Sequence, residues 1–322
     1  MRVRFRLALT LALALSSPAA AGPVEVDARI PAYKKTSGVS GNLDSIGSDT
    51  LNNLMTFWSE GFSREYPNVR TQVEGKGSST APPALIAGTA QLGPMSREMK
   101  STEVDAFEQK FGYPPTEIRV AVDALAVYLH KDNPIEKLTL EQVDAVFSKT
   151  RRCGASAAAT TWGDLGLAGA WASKPIRLYG RNSASGTYGY FKTVALCKGD
   201  YKDTVKEQPG SASVVQGVTE DMYGIGYSGI GYRTSGVKAI ALAKKAGDPY
   251  GTVDPADVYG GKYPLARFLY IYVNKPPNSP ADPLIREFIR YVLSKEGQQI
   301  VVKDGYLPIG FGIVQQELAK LD

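Results

Sequence analysis

Apolar positions along the chain recur at two alternating spacings. Leu51, Leu54, Met55, Trp58 and Phe62 fall at i, i+3, i+4, i+7 and i+11, the stripe of an amphipathic helix. A short strand before them runs into Ile46-Gly47-Ser48-Asp49-Thr50, where Asp49 or Thr50 is placed to cap that helix. Val69–Glu74 reads as a second strand. A helix follows over residues 81–88, with Pro82 and Pro83 in its first turn, and residues 91–96 read as a strand entering a loop. The same patterns predict strands at Ile176–Tyr179 and Ile225–Ser228. They predict helices at Thr102–Phe111, Leu140–Phe147 and Tyr188–Leu196, and two more, Leu284–Leu293 and Gly297–Lys303, that close the chain. Residues 22–41 carry no period and read as a loose N-terminal arm.

Two apolar, β-branched runs are longer than the rest, Arg119–Leu129 and Leu265–Val273, and they bracket the middle of the chain. This spacing predicts an α/β protein with a discontinuous first lobe, residues 42–125 plus 266–322, and a second lobe, residues 126–265, inserted into it. The two long strands would cross between the lobes as a hinge. Ligands of such folds sit in the crevice beyond the carboxyl ends of the strands.

Composition then narrows the chemistry. His130 is the single histidine of 322 residues, so a His-rich metal site is excluded, and two cysteines cannot hold an iron–sulfur cluster. No metal and no cofactor are expected. Residues 1–21 have the form of a secretory signal. Arg2, Arg4 and Arg6 lead an apolar run, Leu7–Leu15, far too short to span a bilayer, and small residues place cleavage near Ala21. Setting those arginines aside lowers the net charge from +5 to +2. Nothing in so small an excess, with no basic run interleaved with aromatics, points to nucleic acid. Export also makes the even pair Cys153 and Cys197 a predicted disulfide.

Three turns share one character, small hydroxyl residues and glycine just before a helix: Gly47-Ser48-Asp49-Thr50, Gly77-Ser78-Ser79-Thr80 and Ser183-Ala184-Ser185-Gly186-Thr187. Each presents free backbone amides, the positive end of a helix dipole and hydroxyl donors, which together cradle an anion. Arg181 opens the third turn with a planar fork suited to two anion oxygens. No phosphate-loop motif and no GxGxxG motif is present, which disfavours nucleotides. Arg97 reads as a solvated charge.

The segments GSDT (47–50), EGKGSST (74–80), LGPMSREM (92–99), YGRNSASGTYGYF (179–191), YPLARFLYIYVNK (263–275) and SKEGQQIVVKDGYLPI (294–309) resemble the periplasmic phosphate-binding proteins of PstS type over about residues 42–312. The resemblance implies a two-lobed, type II venus-flytrap binding protein that is not an enzyme. It would deliver inorganic phosphate to an inner-membrane ABC permease and is expected to be a periplasmic monomer. Carried over, Ser78 falls on a hydroxyl ligand and Arg181 on the phosphate-binding arginine. Ser185, Gly186 and Thr187 fall on the SGT that meets phosphate. Thr50 and Leu51 match the first loop, or Asp49 and Thr50 after a one-residue shift.

Two positions depart from the pattern: Ser96 and Ser183 stand where the family often has aspartates. The first of those aspartates accepts the phosphate proton, a feature that separates phosphate from sulfate, and Asp49 is a substitute acceptor. Three alternatives stay open. One is the same fold binding sulfate or molybdate. Another is a secreted phosphatase using Ser185 or Thr187, with His130 as its only base. The last is an extracellular phosphate scavenger without a permease.

Overall fold

A computed structural model of the chain describes residues 24–322. The predicted leader lies outside the described residues. In chain order the elements are β1 (Gly41–Ile46), α1 (Asn52–Glu65), β2 (Val69–Glu74), α2 (Ala81–Ala87), β3 (Gly93–Met95), α3 (Ser101–Phe111) and β4 (Thr116–Ala124). The middle of the chain forms β5 (Ala126–His130), β6 (Lys137–Thr139), α4 (Leu140–Phe147), β7 (Arg177–Arg181), α5 (Gly186–Val194), β8 (Lys206–Gln208), α6 (Ser211–Thr219), β9 (Gly224–Ser228), β10 (Val237–Ala239), β11 (Ala241–Ala243) and α7 (Pro255–Tyr259). The chain ends with β12 (Ala266–Val273), α8 (Pro283–Val292), α9 (Lys295–Lys303) and α10 (Phe311–Ala319). Among the described residues no helix is long and apolar enough to cross a membrane.

Two groups of strands form the two lobes. In one, β1 and β2 pair in parallel, and β12 lies between β3 and β4 with antiparallel register on both sides. A parallel bridge from Ser45 to Leu92 ties these pieces together. In the other, the order is β10-β5-β9-β7-β8. β4 and β5 are separated only by Leu125, so one continuous run passes from the first sheet to the second, as the long apolar segment predicts. The return crossing enters β12 through Leu265. Leu125 N–H donates to the Leu265 carbonyl at 3.0 Å, and the Tyr263 hydroxyl donates to the Leu125 carbonyl at 2.9 Å. The two crossings are thus bonded to each other at the hinge, and both leucines are buried.

Three local expectations need correction. Residues 24–40 are not loose. Ile30 is buried, the Tyr33 hydroxyl donates to Glu287 Oε2 at 2.8 Å, and Asp27 Oδ2 accepts from the Phe311 amide at 3.2 Å. Specific side chains hold this segment where periodicity has no purchase. The helices over residues 283–303 do not close the chain, because Gly310 starts α10, whose inward residues Val314 and Glu317 are buried. Arg97 is not solvated: both of its terminal nitrogens bond Glu103 at 2.7 Å, and Nη2 also donates to Ser79 Oγ.

The disulfide between Cys153 and Cys197 is present, with the two Cα atoms 5.3 Å apart. It fastens the loop after α4 to the segment just beyond α5.

Candidate functional site

The three glycine- and hydroxyl-rich turns converge where the lobes meet. Gly47 and Ser48 leave β1, Asp49–Leu51 form a short turn of 3-10 helix leading into α1, and Ser78–Thr80 form another leading into α2. Ser185 caps α5 from the opposite lobe, its Oγ accepting from the Tyr188 amide at 3.3 Å. Across the cleft, Thr50 Oγ1 lies 2.9 Å from Thr187 Oγ1, and Ser96 Oγ lies 3.5 Å from the same Thr187 oxygen. Ser78 Oγ sits 3.3 Å from Ser96 Oγ and accepts from the Ser96 amide at 3.0 Å. All five side chains are buried.

Glycine is required at the junction. A Cβ on Gly186 would lie 2.2 Å from Ser78 Oγ and 2.6 Å from Ser96 Oγ. Gly77 has φ of 111°, a left-handed conformation that suits glycine, and a Cβ there would meet the Ala184 carbonyl at 2.6 Å. This close approach lets the Ser79 amide donate to the Ala184 carbonyl across the lobes at 3.1 Å.

Two of the hydroxyls, those of Ser78 and Ser185, accept a backbone N–H and keep their own hydrogens for other partners. The first amides of α5, on Gly186 and Thr187, precede any intrahelical acceptor and sit at the positive end of the helix. Ser96 and Thr50 have hydroxyl neighbours that can either donate or accept, which leaves these two free to do either.

Arg181 is 2% exposed at the end of β7. Its Nη1 donates to Ser211 Oγ at 2.8 Å and lies 3.0 Å from Asp49 Oδ2, and its Nη2 donates to the Pro209 carbonyl. Its Nε is buried with no protein partner, a donor still to be used.

Asp49 departs from its expected role. Neither Asp49 nor Thr50 caps α1, and Ser48, at the start of the turn, makes no side-chain cap either. Asp49 Oδ2 instead reaches across the cleft and accepts from the amide and the hydroxyl of Ser211, at 2.7 and 2.8 Å. Leu51 contributes its side chain to the core, and its amide donates to the Ser48 carbonyl at 3.3 Å.

Sequence reasoning leaves several groups here out of the site; of them it weighs only Tyr232, as a tyrosine that could line the cleft mouth but more often packs. Ser211 follows Pro209-Gly210 and starts α6, so it carries the same small-residue signature as the other three turns. Tyr232 and Tyr306 donate to the carbonyls of Asp49 and Thr50, both at 2.9 Å. Burial holds both phenols protonated, well above their ordinary value, so they remain donors. Arg267 also reaches the hydroxyl cluster. Its signal was a lone arginine interrupting the apolar run of β12.

A groove of about 630 Å³, lined by Val122, Val258, Tyr259, Phe268 and Ile313, is mostly apolar and takes in none of the clustered hydroxyls. Among the described residues no group of three or more His, Cys, Asp or Glu side chains converges to hold a metal.

Comparison with known proteins bears on the family and the fold. The family model for the PBP superfamily domain matches residues 33–296. The Pseudomonas aeruginosa protein called phosphate-binding protein PstS is 57% identical over 321 residues, which cover 100% of this chain and 99% of that one. A Clostridium perfringens substrate-binding protein solved with bound phosphate superposes with a TM-score of 0.70 at 24% identity, covering 84% of this chain and 100% of that one. An ABC-type phosphate transport receptor from Vibrio cholerae superposes with a TM-score of 0.64 at 21% identity, covering 83% of this chain and 100% of that one. At these identities the two structures speak for the fold alone. The chain belongs to the PBP superfamily and, within it, to the family of the phosphate-binding protein PstS.

Proposed function

We propose that this protein captures inorganic phosphate between its two lobes and delivers it to an inner-membrane ABC permease. One observation carries the reading: Thr50, Ser78 and Ser96 from one lobe meet Thr187 and Gly186, at the start of α5, from the other in a single buried cluster, while the buried Arg181 pairs with Asp49, the neighbour of Thr50. Such a cluster suits an oxyanion stripped of water, because preorganised donors in a low-dielectric site replace its hydration shell. The names of the relatives, PstS above all, point to phosphate among the oxyanions.

In this reading residues 42–125 plus 266–322 and residues 126–265 are the closing lobes. Phosphate takes hydrogen bonds from the hydroxyls of Ser78, Ser185 and Thr187, from the amides that open α5 and from Arg181. Thr50 and Ser96 take whichever sense the ligand leaves open. Leu51 contributes through its backbone at most. Asp49 balances Arg181, and its second oxygen, which takes no hydrogen bond among the described residues, accepts the proton that phosphate keeps near neutral pH. The chain acts as a periplasmic monomer, after removal of its leader near Ala21, and binds without covalent chemistry.

Calorimetric titration with phosphate, followed by competition with sulfate and molybdate across pH, tests this. Saturable heat with phosphate at micromolar protein and weak competition by sulfate are expected. No heat with phosphate, or equal affinity for sulfate, would sink the assignment.

A further inference from the structure

Two charged side chains stand in the hinge itself. Asp123 is next to last in β4, Arg267 is second in β12, and the two face each other in the antiparallel register. Arg267 Nε and Nη2 both donate to Asp123 Oδ2, at 3.0 and 2.8 Å, and both residues are buried. A buried ion pair must offset a large desolvation cost, so on its own it says little about stability. Its remaining bonds are more informative. Arg267 Nη1 donates to the Ser96 carbonyl at 2.7 Å, and Nη2 donates to Thr187 Oγ1 at 2.9 Å. Tyr190, three residues beyond Thr187 on α5, lays its ring 5.1 Å from the guanidinium. The other Asp123 oxygen accepts from the Ile230 amide at 3.0 Å. Thr187, Tyr190 and Ile230 all lie in the inserted stretch between β4 and β12.

A guanidinium can only donate. Thr187 Oγ1 therefore accepts from Arg267, and its own hydrogen is directed away, toward the Thr50 and Ser96 hydroxyls and any anion among them. We infer that Arg267, held by Asp123, is a positioning residue for the oxyanion site. It sets Thr187 as a hydroxyl donor and couples that setting to lobe closure, because its partners on α5 and beside Ile230 belong to the other lobe. The same pair has no need to touch the ligand. This inference rests on the phosphate-binding reading above.

The test is a double-mutant cycle on phosphate affinity, measured by calorimetry on the mature chain. One arm replaces the pair by its neutral, similarly shaped counterparts, Asp123→Asn with Arg267→Gln. The other is Thr187→Val, and the third sample combines them. Each arm is expected to weaken phosphate binding about tenfold, the scale of one hydrogen bond to a charged group, and the combination little more than either alone. Arg267→Lys beside native Asp123, which keeps the charge but not the fork, should fall between wild type and the neutral pair. Thermal melting without phosphate reports folding separately. If the neutral pair does not fold, the cycle runs with Arg267→Lys. Losses that simply add, or a folded pair variant with wild-type affinity, overturn the inference while leaving phosphate binding intact. A wild-type protein that binds no phosphate overturns the reading beneath it instead.

Discussion

Asp49 Oδ2 lies 3.0 Å from Arg181 Nη1, so the arginine that opens the third turn is charge-balanced from the opposite lobe. The cleft thus contains one cation and one anion in contact. Arg267 and Asp123 repeat the arrangement at the hinge. Under the proposed function such a site would attract an oxyanion through oriented donors more than through net charge, in keeping with the small charge excess left when residues 1–21 are set aside.

The Asp49–Arg181 relationship separates affinity from selectivity. Arg181→Ala removes a donor and leaves a carboxylate half-buried without its cation, and phosphate affinity should fall about a hundredfold. Asp49→Asn should act differently, narrowing the preference for phosphate over sulfate about tenfold, because an amide can donate to a proton-free oxyanion where a carboxylate cannot. Paired titrations of both variants with phosphate and sulfate check this. An Asp49→Asn protein with unchanged selectivity would move the role of proton acceptor elsewhere, Ser96 being next in line.

Gly186→Ala tests closure. Its methyl group would fall 2.2 Å from Ser78 Oγ, on the other side of the cleft, while the start of α5 tolerates alanine well. The variant should melt within a degree or two of wild type yet lose phosphate binding by at least about a hundredfold, since the lobes cannot meet without a clash. Small-angle scattering with and without phosphate would show whether the lobes still close. A Gly186→Ala protein that closes and binds normally would mean that the cluster tolerates displacement.

The bridge between Cys153 and Cys197 closes a loop across 44 residues of sequence. In the chain-entropy account this amounts to about 4 kcal/mol of stability at most. Replacing both cysteines by serine should lower the melting temperature of the protein by several degrees, with the lobe containing α5 affected first. Hydrogen exchange resolved by segment would locate the loss. Equal loosening of α1 and α5 would argue against a local staple.

Asp304 follows α9, and its Oδ2 is buried without a hydrogen-bond partner. Burial pushes its carboxyl up to about 6. The folded state therefore holds this proton more tightly than the unfolded chain does. The stabilising contribution is complete below the ordinary carboxylate range, near pH 4, and is lost as pH rises through 6. Asp304→Asn should stabilise the protein at pH 7.5 by about 1 kcal/mol, a figure reduced for the water the group still meets, and change little at pH 4. Denaturant titrations at the two pH values would reveal the difference. A gain of equal size at both would assign the effect to packing.

The helix of Leu51 to Phe62, the strand Val69–Glu74 and the two hinge runs were legible because each has a strong period or a long apolar stretch of its own. The same holds for the three turns and Arg181, whose residue types carry their chemistry locally. Asp49 was legible as a residue but not as a contact. Its position before a helix pointed to a cap, and the partner that redirects it, Ser211, lies 162 residues away. The N-terminal segment escaped for a similar reason, since Tyr33 and Asp27 are held by Glu287 and Phe311 and not by any local pattern.

The amino-acid order alone therefore determined the alternation of strands and helices, the two long runs that cross at the hinge and the residue types that stand at the three turns. Those properties depend on near neighbours and on composition. The tertiary structure decided which donors face one another, which hydroxyls are left to donate, and that the buried arginines Arg97, Arg181 and Arg267 each have a carboxylate partner. Asp123 and Arg267 meet across 144 residues of sequence and Thr50 and Thr187 across 137, and only the folded path through Leu125 and Leu265 brings such groups within hydrogen-bond distance.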